Sequence, residues 1–413
     1  MLVTYIKNNT YFVAPRHFEM IFSHEEPSVV ISESLKTYLA EAKETIEENL
    51  EKWDDFKKIV NPYEYVHSNV YREKYPVSRL TPVSRSFYKF IEIVNHFSIL
   101  DTYNGKPLKT FHIAEGPGGF IEAIAHLRKE YNSSNNQFRT NDEIVKDAYW
   151  GLTLLKNEPG IPSWRKLKDK IRRDNIENIQ FFMGKNEDGN LFDYENLEEC
   201  GRNHYNSCDI VTADGGFDFS LNFEDQERVA TKLLLVQILY AIILQKKGGT
   251  FIIKFFDMFN YASLELVYIL KSFYSTVIVT KPKTSRYANS ERYIVACDYI
   301  YESSRIFIAP FISIIKRLSS EESNNENIMR ILNIDLPHFF VSNMEQANIL
   351  LGKQQLMTIN NTNQLIKTAK NDKIEKMVKM NKEKSVKWCL ENNIPHNNIR
   401  NENVFKKKNT MKM

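Results

Sequence analysis

Apolar positions along this chain follow two rhythms that change near residue 109. Leu35, Leu39, Ala42, Ile46, Leu50, Trp53 and Val60 recur three, four or seven apart and run into Asn61-Pro62. That spacing predicts one amphipathic helix over 35–60, ended by the proline. Phe87, Phe90, Ile91, Val94 and Phe97 predict a second helix, entered from Pro82-Val-Ser84. Beyond residue 109, short β-friendly apolar runs at 110–114, 147–154, 178–183, 208–213, 250–256 and 276–281 alternate with helical stretches. The clearest such helix is Glu224–Gln245, with Val229, Leu233, Val236, Leu239, Tyr240 and Ile243 on one side. This order predicts an α/β fold, a mostly parallel sheet with helices on both faces. The last two strands, 276–280 and 292–296, are separated by about ten residues, too few for a parallel crossover, so the final strand is expected to be antiparallel.

The flanks are less regular. Residues 1–31 show weak order signals, and 63–81 form a tyrosine-rich connection. Residues 301–366 are expected to be helical, including 307–318 and 324–332. The pattern divides the chain into a helical N-terminal extension (1–81), a central α/β domain (82–300), a helical C-terminal region (301–366) and a basic tail (367–413).

Charge sharpens that last boundary. The whole chain carries +3, but residues 367–413 hold 13 Lys and Arg against 5 Asp and Glu. The tail is thus +8 and the first 366 residues −5, which suits a solvated tail or an anchor for RNA or an acidic partner. At 413 residues, 42% hydrophobic and 26% charged, the balance is that of a globular protein with a large core. There is no run of about 18 apolar residues, so no membrane span is expected. The start lacks the form of a secretory signal. Cys200, Cys208, Cys297 and Cys389 are scattered without a CxxC, which points to reduced thiols and an intracellular setting rather than a disulfide frame or a metal site.

Four places carry candidate chemistry. Glu115-Gly-Pro-Gly-Gly-Phe120 follows a predicted strand and opens a helix, so its glycines can turn sharply and approach a ligand at the carboxyl edge of the sheet. It is neither a nucleotide P-loop nor a dinucleotide fingerprint. A carboxylate at Glu115 would repel phosphate and suit a ligand bearing an ammonium group; an ordinary strand-to-helix turn is the alternative. Asp214 ends an apolar strand before Gly215 and Gly216. Lys254 sits inside the apolar run Phe251-Ile-Ile-Lys-Phe-Phe256, where an ammonium needs a partner, a lowered pKa or a path to solvent. Between the last two strands, Lys281, Lys283, Arg286 and Arg292 make a basic loop that could grip a phosphate backbone or simply be solvated.

Taken together, these residues resemble the FtsJ-like (RrmJ-type) ribose 2'-O-methyltransferases, and among them the mRNA cap 2'-O-methyltransferases, including those of large DNA viruses. The resemblance runs from about Ser84 to Asp298. It rests on Ser84-Arg-Ser-Phe-Tyr-Lys89, Glu115-Gly-Pro-Gly-Gly-Phe120, Trp150-Gly-Leu-Thr-Leu154, Ala213-Asp-Gly-Gly216 and Phe251-Ile-Ile-Lys254, in that order. Most specific is Lys281-Pro-x-x-Ser-Arg-x-x-Asn-Ser-Glu291. Gly116 stands where the family usually has another small residue, and 184–193, with Asp188, only loosely resembles its third-strand region.

The resemblance implies a Rossmann-like methyltransferase sheet and S-adenosyl-L-methionine as cofactor. Glu115, Gly116, Pro117, Gly118, Gly119, Phe120, Thr153 and Asp214 would lie at the cofactor. A catalytic tetrad would comprise Lys89, Asp214, Lys254 and Glu291, with no metal required. The implied partner is RNA, the capped 5' end of mRNA, with capping or transcription machinery alongside; the setting would be cytoplasmic or nuclear, or the virion for a viral protein. Lys281, Lys283, Arg286 and Arg292 would hold RNA phosphates, and the tyrosine-rich stretch 63–88 would contribute to a pocket for methylated guanine. Methylation of ribosomal or transfer RNA, and a non-catalytic RNA-binding subunit with the same fold, are the alternatives.

Overall fold

The structure, a computed structural model, describes residues 1–7, 12–135, 147–155, 163–174, 176–216, 225–368 and 370–397. The chain begins with β1 (Leu2–Ile6), β2 (Phe18–Ser23), α1 (Glu33–Glu47), α2 (Leu50–Val60) and α3 (Ser86–His96). The central part runs β3 (Lys109–Ile113), α4 (Gly119–Asn135), β4 (Ala148–Leu152), α5 (Arg165–Asp174), β5 (Ile179–Phe181), α6 (Tyr194–His204) and β6 (Cys208–Ala213). It continues through α7 (Gln226–Leu244), β7 (Gln245–Phe255), α8 (Tyr261–Phe273), β8 (Tyr274–Lys281) and β9 (Arg292–Tyr299). The chain then adds α9 (Arg305–Leu318), β10 (Asn327–Leu332), α10 (His338–Thr368) and α11 (Asn371–Glu391).

The main sheet has the order β1-β8-β9-β7-β6-β3-β4-β5. Strands β5, β4, β3, β6 and β7 are parallel neighbours. The final strand β9 is antiparallel, as its short connection requires, and it inserts between β7 and β8. Every residue of β6 is buried, as expected where helices cover both faces. Helix α7 is apolar nearly all round, with 14 buried residues, because it lies within the main core. Strand order reverses between β3 and β6, and such a switch point opens a crevice at the carboxyl ends of the strands.

Several expectations for the flanks need correction. The weakly patterned N-terminus supplies β1, which pairs antiparallel with β8, and β2, which pairs with β10. The single helix expected over 35–60 is two. Asn49 ends the first with its side-chain amide on the Thr45 carbonyl (3.0 Å), and its own carbonyl accepts from Trp53 N (2.9 Å) to start the second; asparagine competes with helix continuation in this way. Residues 327–332 form a strand rather than a helix, held by β2 on one side and by Glu265, which accepts from Arg330 Nε at 2.7 Å. The basic tail contributes α11, whose Ile374, Asn381, Ser385, Trp388 and Cys389 are buried on a helical stripe. Residues 398–413 lie outside the described residues. Among the described residues, no helix is long and apolar enough to cross a membrane.

Candidate active site

Four elements bring their polar residues to the carboxyl edge of the parallel strands. Helix α3 carries Lys89, β6 ends immediately before Asp214, β7 carries Lys254 near its end, and Glu291 precedes β9. Because β9 is antiparallel, its beginning lies at the same edge as the end of β7: Lys254 and Tyr293 are register partners. The four tetrad residues, remote in sequence, thus converge.

They form two acid–base pairs. Lys89 Nζ lies 2.7 Å from both carboxylate oxygens of Glu291, and Ser285 Oγ donates to Glu291 Oε1 at 2.6 Å. Burial pushes the Lys89 ammonium down, and neighbouring Arg85 adds to this, while Glu291 opposes it. Burial also pushes Glu291 up, yet Lys89, Arg85 and Lys254 together outweigh it and hold that carboxyl well below the usual range. In the second pair, Lys254 Nζ donates to the Asp214 carbonyl at 2.7 Å and lies 3.6 Å from Asp214 Oδ1. Tyr293 OH donates to that same Oδ1 at 3.0 Å. The Asp214–Gly216 turn fits closely around this pair: a Cβ on Gly216 would lie 3.0 Å from Lys254 Nζ, and Gly215 N donates to Gln237 Oε1 of α7 at 3.3 Å.

Lys254 and Glu291 open onto a cavity of about 370 Å³ walled by Trp53, Phe256, Arg286 and Tyr287. The aromatic walls therefore come from α2, the residue after β7 and the 281–291 loop. Within the tyrosine-rich stretch, Tyr65 and Tyr88 are buried and Tyr63 lies beneath Lys283, so these rings do not form the expected pocket.

The glycine loop after β3 behaves as a ligand-approach turn, with a division of labour that its spelling conceals. Gly118 has φ +105°, and a Cβ there would lie 2.4 Å from Leu167 Cδ2, so only glycine suits the position. Gly116 N donates to Thr153 Oγ1 at 3.1 Å, joining the loop to the end of β4. Glu115, however, faces inward. It accepts from Ile121 N (3.1 Å) at the start of α4 and from Thr212 Oγ1 (3.3 Å), with His112 Nδ1 at 3.2 Å. Burial pushes its carboxyl well up and that of Asp214 adds to the shift, so direct capture of a ligand ammonium by Glu115 is corrected to a structural role within the loop. Phe120 is also interior, packed on Phe90 and Tyr293. What remains at the edge is the Gly116–Gly118 backbone, Thr153 and the Asp214 carboxylate, with Asp188 fastened beside them by Leu155 N to Asp188 O (2.8 Å). A glycine turn beside a carboxylate is compatible with S-adenosylmethionine, the cofactor that the resemblance implies.

The basic loop was not legible from its charges. Lys281 is buried, with Nζ donating to Asn289 O (2.7 Å), Asn289 Oδ1 (2.9 Å) and Glu291 O (2.5 Å). Burial pushes its ammonium down to about 7. Arg292 is buried on Asp257 (2.6 Å) and Asn348 (3.1 Å). Both are corrected from RNA contacts to internal braces, since neither presents its charge to solvent. Arg286 forks onto Glu64 at 2.6 and 3.1 Å, and Lys283 pairs with Glu391 at 3.4 Å; their side chains remain 26% and 31% exposed. Sequence reading missed Glu92, one turn along α3 from Lys89. It accepts from Lys283 N (2.7 Å), Thr284 N (3.1 Å) and Trp388 Nε1 (3.1 Å), clamping the loop to α3 and α11.

The FtsJ-like methyltransferase model matches residues 82–299, more than half of the chain. Similar curated proteins include a cap-specific mRNA (nucleoside-2'-O-)-methyltransferase 2 of Danio rerio, 30% identical over 233 residues, covering 52% of this chain and 28% of that protein. The protein of the same name in Drosophila melanogaster is 27% identical over 223 residues, covering 52% of this chain and 30% of that protein. An inactive cap-specific mRNA (nucleoside-2'-O-)-methyltransferase 1B of Caenorhabditis briggsae is 25% identical over 254 residues, covering 59% and 28%. The chain spans about 30% of the length of these relatives. On the extent of the family match, the chain belongs to the FtsJ-like methyltransferases.

Proposed function

We propose that this protein transfers a methyl group from S-adenosylmethionine to the ribose 2'-hydroxyl of a cap-proximal nucleotide of mRNA. One observation carries the reading: Lys254 and Glu291, one member of each acid–base pair, line a single aromatic-walled cavity, with Asp214 and Lys89 bonded behind them. Relatives named for cap-specific 2'-O-methylation support the substrate class. An inactive relative stands among them, so identity alone does not establish activity and the intact tetrad is the stronger argument.

The cofactor supplies an activated methyl on a sulfonium. This chain's residues supply alignment and charge. In-line transfer depends on holding the hydroxyl and the methyl donor in register; the glycine loop is the part of this chain suited to the donor and the cavity the part suited to the RNA. The 2'-hydroxyl attacks the methyl carbon as the carbon–sulfur bond breaks and the sulfonium leaves as a neutral thioether; the hydroxyl proton passes to solvent, and negative charge develops on the 2'-oxygen only as that proton leaves. Lys254 faces the cavity; it uses one N–H on the Asp214 carbonyl, and an ammonium has three donors. The others can meet the substrate oxygen and steady that charge in a site shielded from water. Lys89, held against Glu291, forms with it a net-neutral pair that fixes the carboxylate near Lys254. Lys283 and Arg286, partly exposed, are the members of the basic loop that keep access to RNA phosphates.

The test uses radiolabelled S-adenosylmethionine and matched short RNAs ending in triphosphate, an unmethylated cap or an N7-methylated cap. Digestion then locates the label. Label on the 2'-oxygen of a cap-proximal nucleotide, confined to capped RNA, is the expected outcome. Label on uncapped or internal ribose would assign the enzyme to structured RNA. Cofactor binding without label on any RNA would make it a non-catalytic binder.

A further inference from the structure

Tyr293 belongs to none of the tetrad positions, yet it touches or adjoins all four. It stands opposite Lys254 in the β7–β9 register and two residues beyond Glu291. Its hydroxyl is 3.0 Å from Asp214 Oδ1, and Lys89 Nζ lies 5.9 Å from its ring centroid. It is fully buried. Phenylalanine would fill the same volume without the cost of burying a hydroxyl, which must find a partner. The choice of tyrosine therefore concerns its O–H.

Asp214 Oδ1 is where Tyr293 and Lys254 compete. A free carboxylate and ammonium this close would normally close to about 2.8 Å; here Lys254 Nζ stays 3.6 Å from Oδ1 while Tyr293 OH occupies that oxygen. We propose that Tyr293 is a positioning residue that holds the Asp214 carboxylate back from Lys254, leaving the lysine's N–H groups for the reacting oxygen. Burial, with the nearby carboxylates of Asp214 and Glu291, pushes the Tyr293 phenol well above its ordinary value, so it remains a donor at neutral pH. The catalytic consequence rests on the methyl-transfer reading above; the geometric one does not.

Two measurements test it. Tyr293→Phe is expected to lower single-turnover methyl transfer about tenfold, one hydrogen bond's worth, with KM for RNA and cofactor within twofold and melting unchanged. In an Asp214→Asn background the same substitution is expected to have no further effect, because its partner's charge is gone. An unchanged rate, or an equal loss in both backgrounds, would overturn the proposal. A crystal structure of Tyr293→Phe is expected to show Lys254 Nζ closed onto an Asp214 carboxylate oxygen; a distance still near that of the parent would overturn it. A parent protein silent toward every RNA would count against the methyl-transfer reading, and the crystal distance would still decide this one.

Discussion

Lys89 and Lys254 share a site but not a situation. Lys89 is 5% exposed and held by a forked carboxylate, with burial and Arg85 pressing on its charge. Lys254 is 15% exposed, is held by a main-chain carbonyl, and faces the cavity. The difference separates the two lysines under the proposed function: Lys254 is the one with access to a substrate, and Lys89 the one that holds Glu291. A buried charge that loses its partner destabilises the fold, whereas a lysine at a cavity mouth can be removed at little structural cost.

The largest effect should come from Lys254→Ala. Methyl transfer is expected to fall about a thousandfold, within the range for loss of a positioned acid–base or charge-stabilising group, with a melting temperature close to that of the parent. Lys89→Ala should break the comparison in the other direction. Stripped of its nearest cation, buried Glu291 keeps only Arg85 and Lys254 nearby, and up to about 3–5 kcal/mol of stability should go with the activity, readable by urea unfolding. If both variants lost activity with no loss of stability, the division of work between the lysines would be wrong.

A smaller effect tests how the loop carrying Glu291 is held to the helix carrying Lys89. Trp388→Phe keeps an aromatic ring but removes the donor to Glu92 Oε2 and part of the buried indole's volume. About 2 kcal/mol of stability should be lost, from the hydrogen bond and the space left together, with a several-fold drop in rate through misplacement of Glu291. A full parental rate would mean that α11 plays no part in the site.

The smallest is a pH effect. Burial, with Arg85, Arg286 and Lys89 nearby and against the pull of Glu64, holds the His67 imidazole down to about 3. Its unfolded value is about 6.5, so between these the unfolded chain binds the extra proton and the folded one does not. The neutral histidine's contribution is therefore complete above about pH 6.5 and declines as pH falls toward 3. His67→Asn should lack that decline, so its stability relative to the parent should improve steadily from pH 7 to pH 5. A pH-independent difference would show His67 to be less shielded than its surroundings suggest.

Much of this was legible from residue order. The alternation after residue 109 exposed the sheet, and the short 281–291 connection exposed the antiparallel final strand, because chain length alone forbids the crossover. The tetrad was legible only through the family resemblance: the residues by themselves single out Lys254 in an apolar strand and Asp214 before paired glycines, while nothing local marks Lys89 or Glu291. Orientation was not legible. Glu115 and Arg292 carry charges at plausible positions, but only packing decides that one caps α4 and the other braces Asp257. The tail misled for a related reason: its lysines dominate the composition, while the stripe Ile374, Ser385 and Trp388 needs the partner surface to become visible. Strand β1 has no local signal strong enough to announce it; its pairing with β8 is a purely long-range contact.

The most direct test of the central claim compares two N7-methyl-capped RNAs of one sequence, with ribose or 2'-deoxyribose at the first two transcribed nucleotides, under single-turnover conditions with labelled S-adenosylmethionine. The account predicts label in the ribose RNA alone, lost in Lys254→Ala. Equal labelling of the deoxyribose RNA would contradict it, because the methyl would then be going to an atom other than a cap-proximal 2'-oxygen.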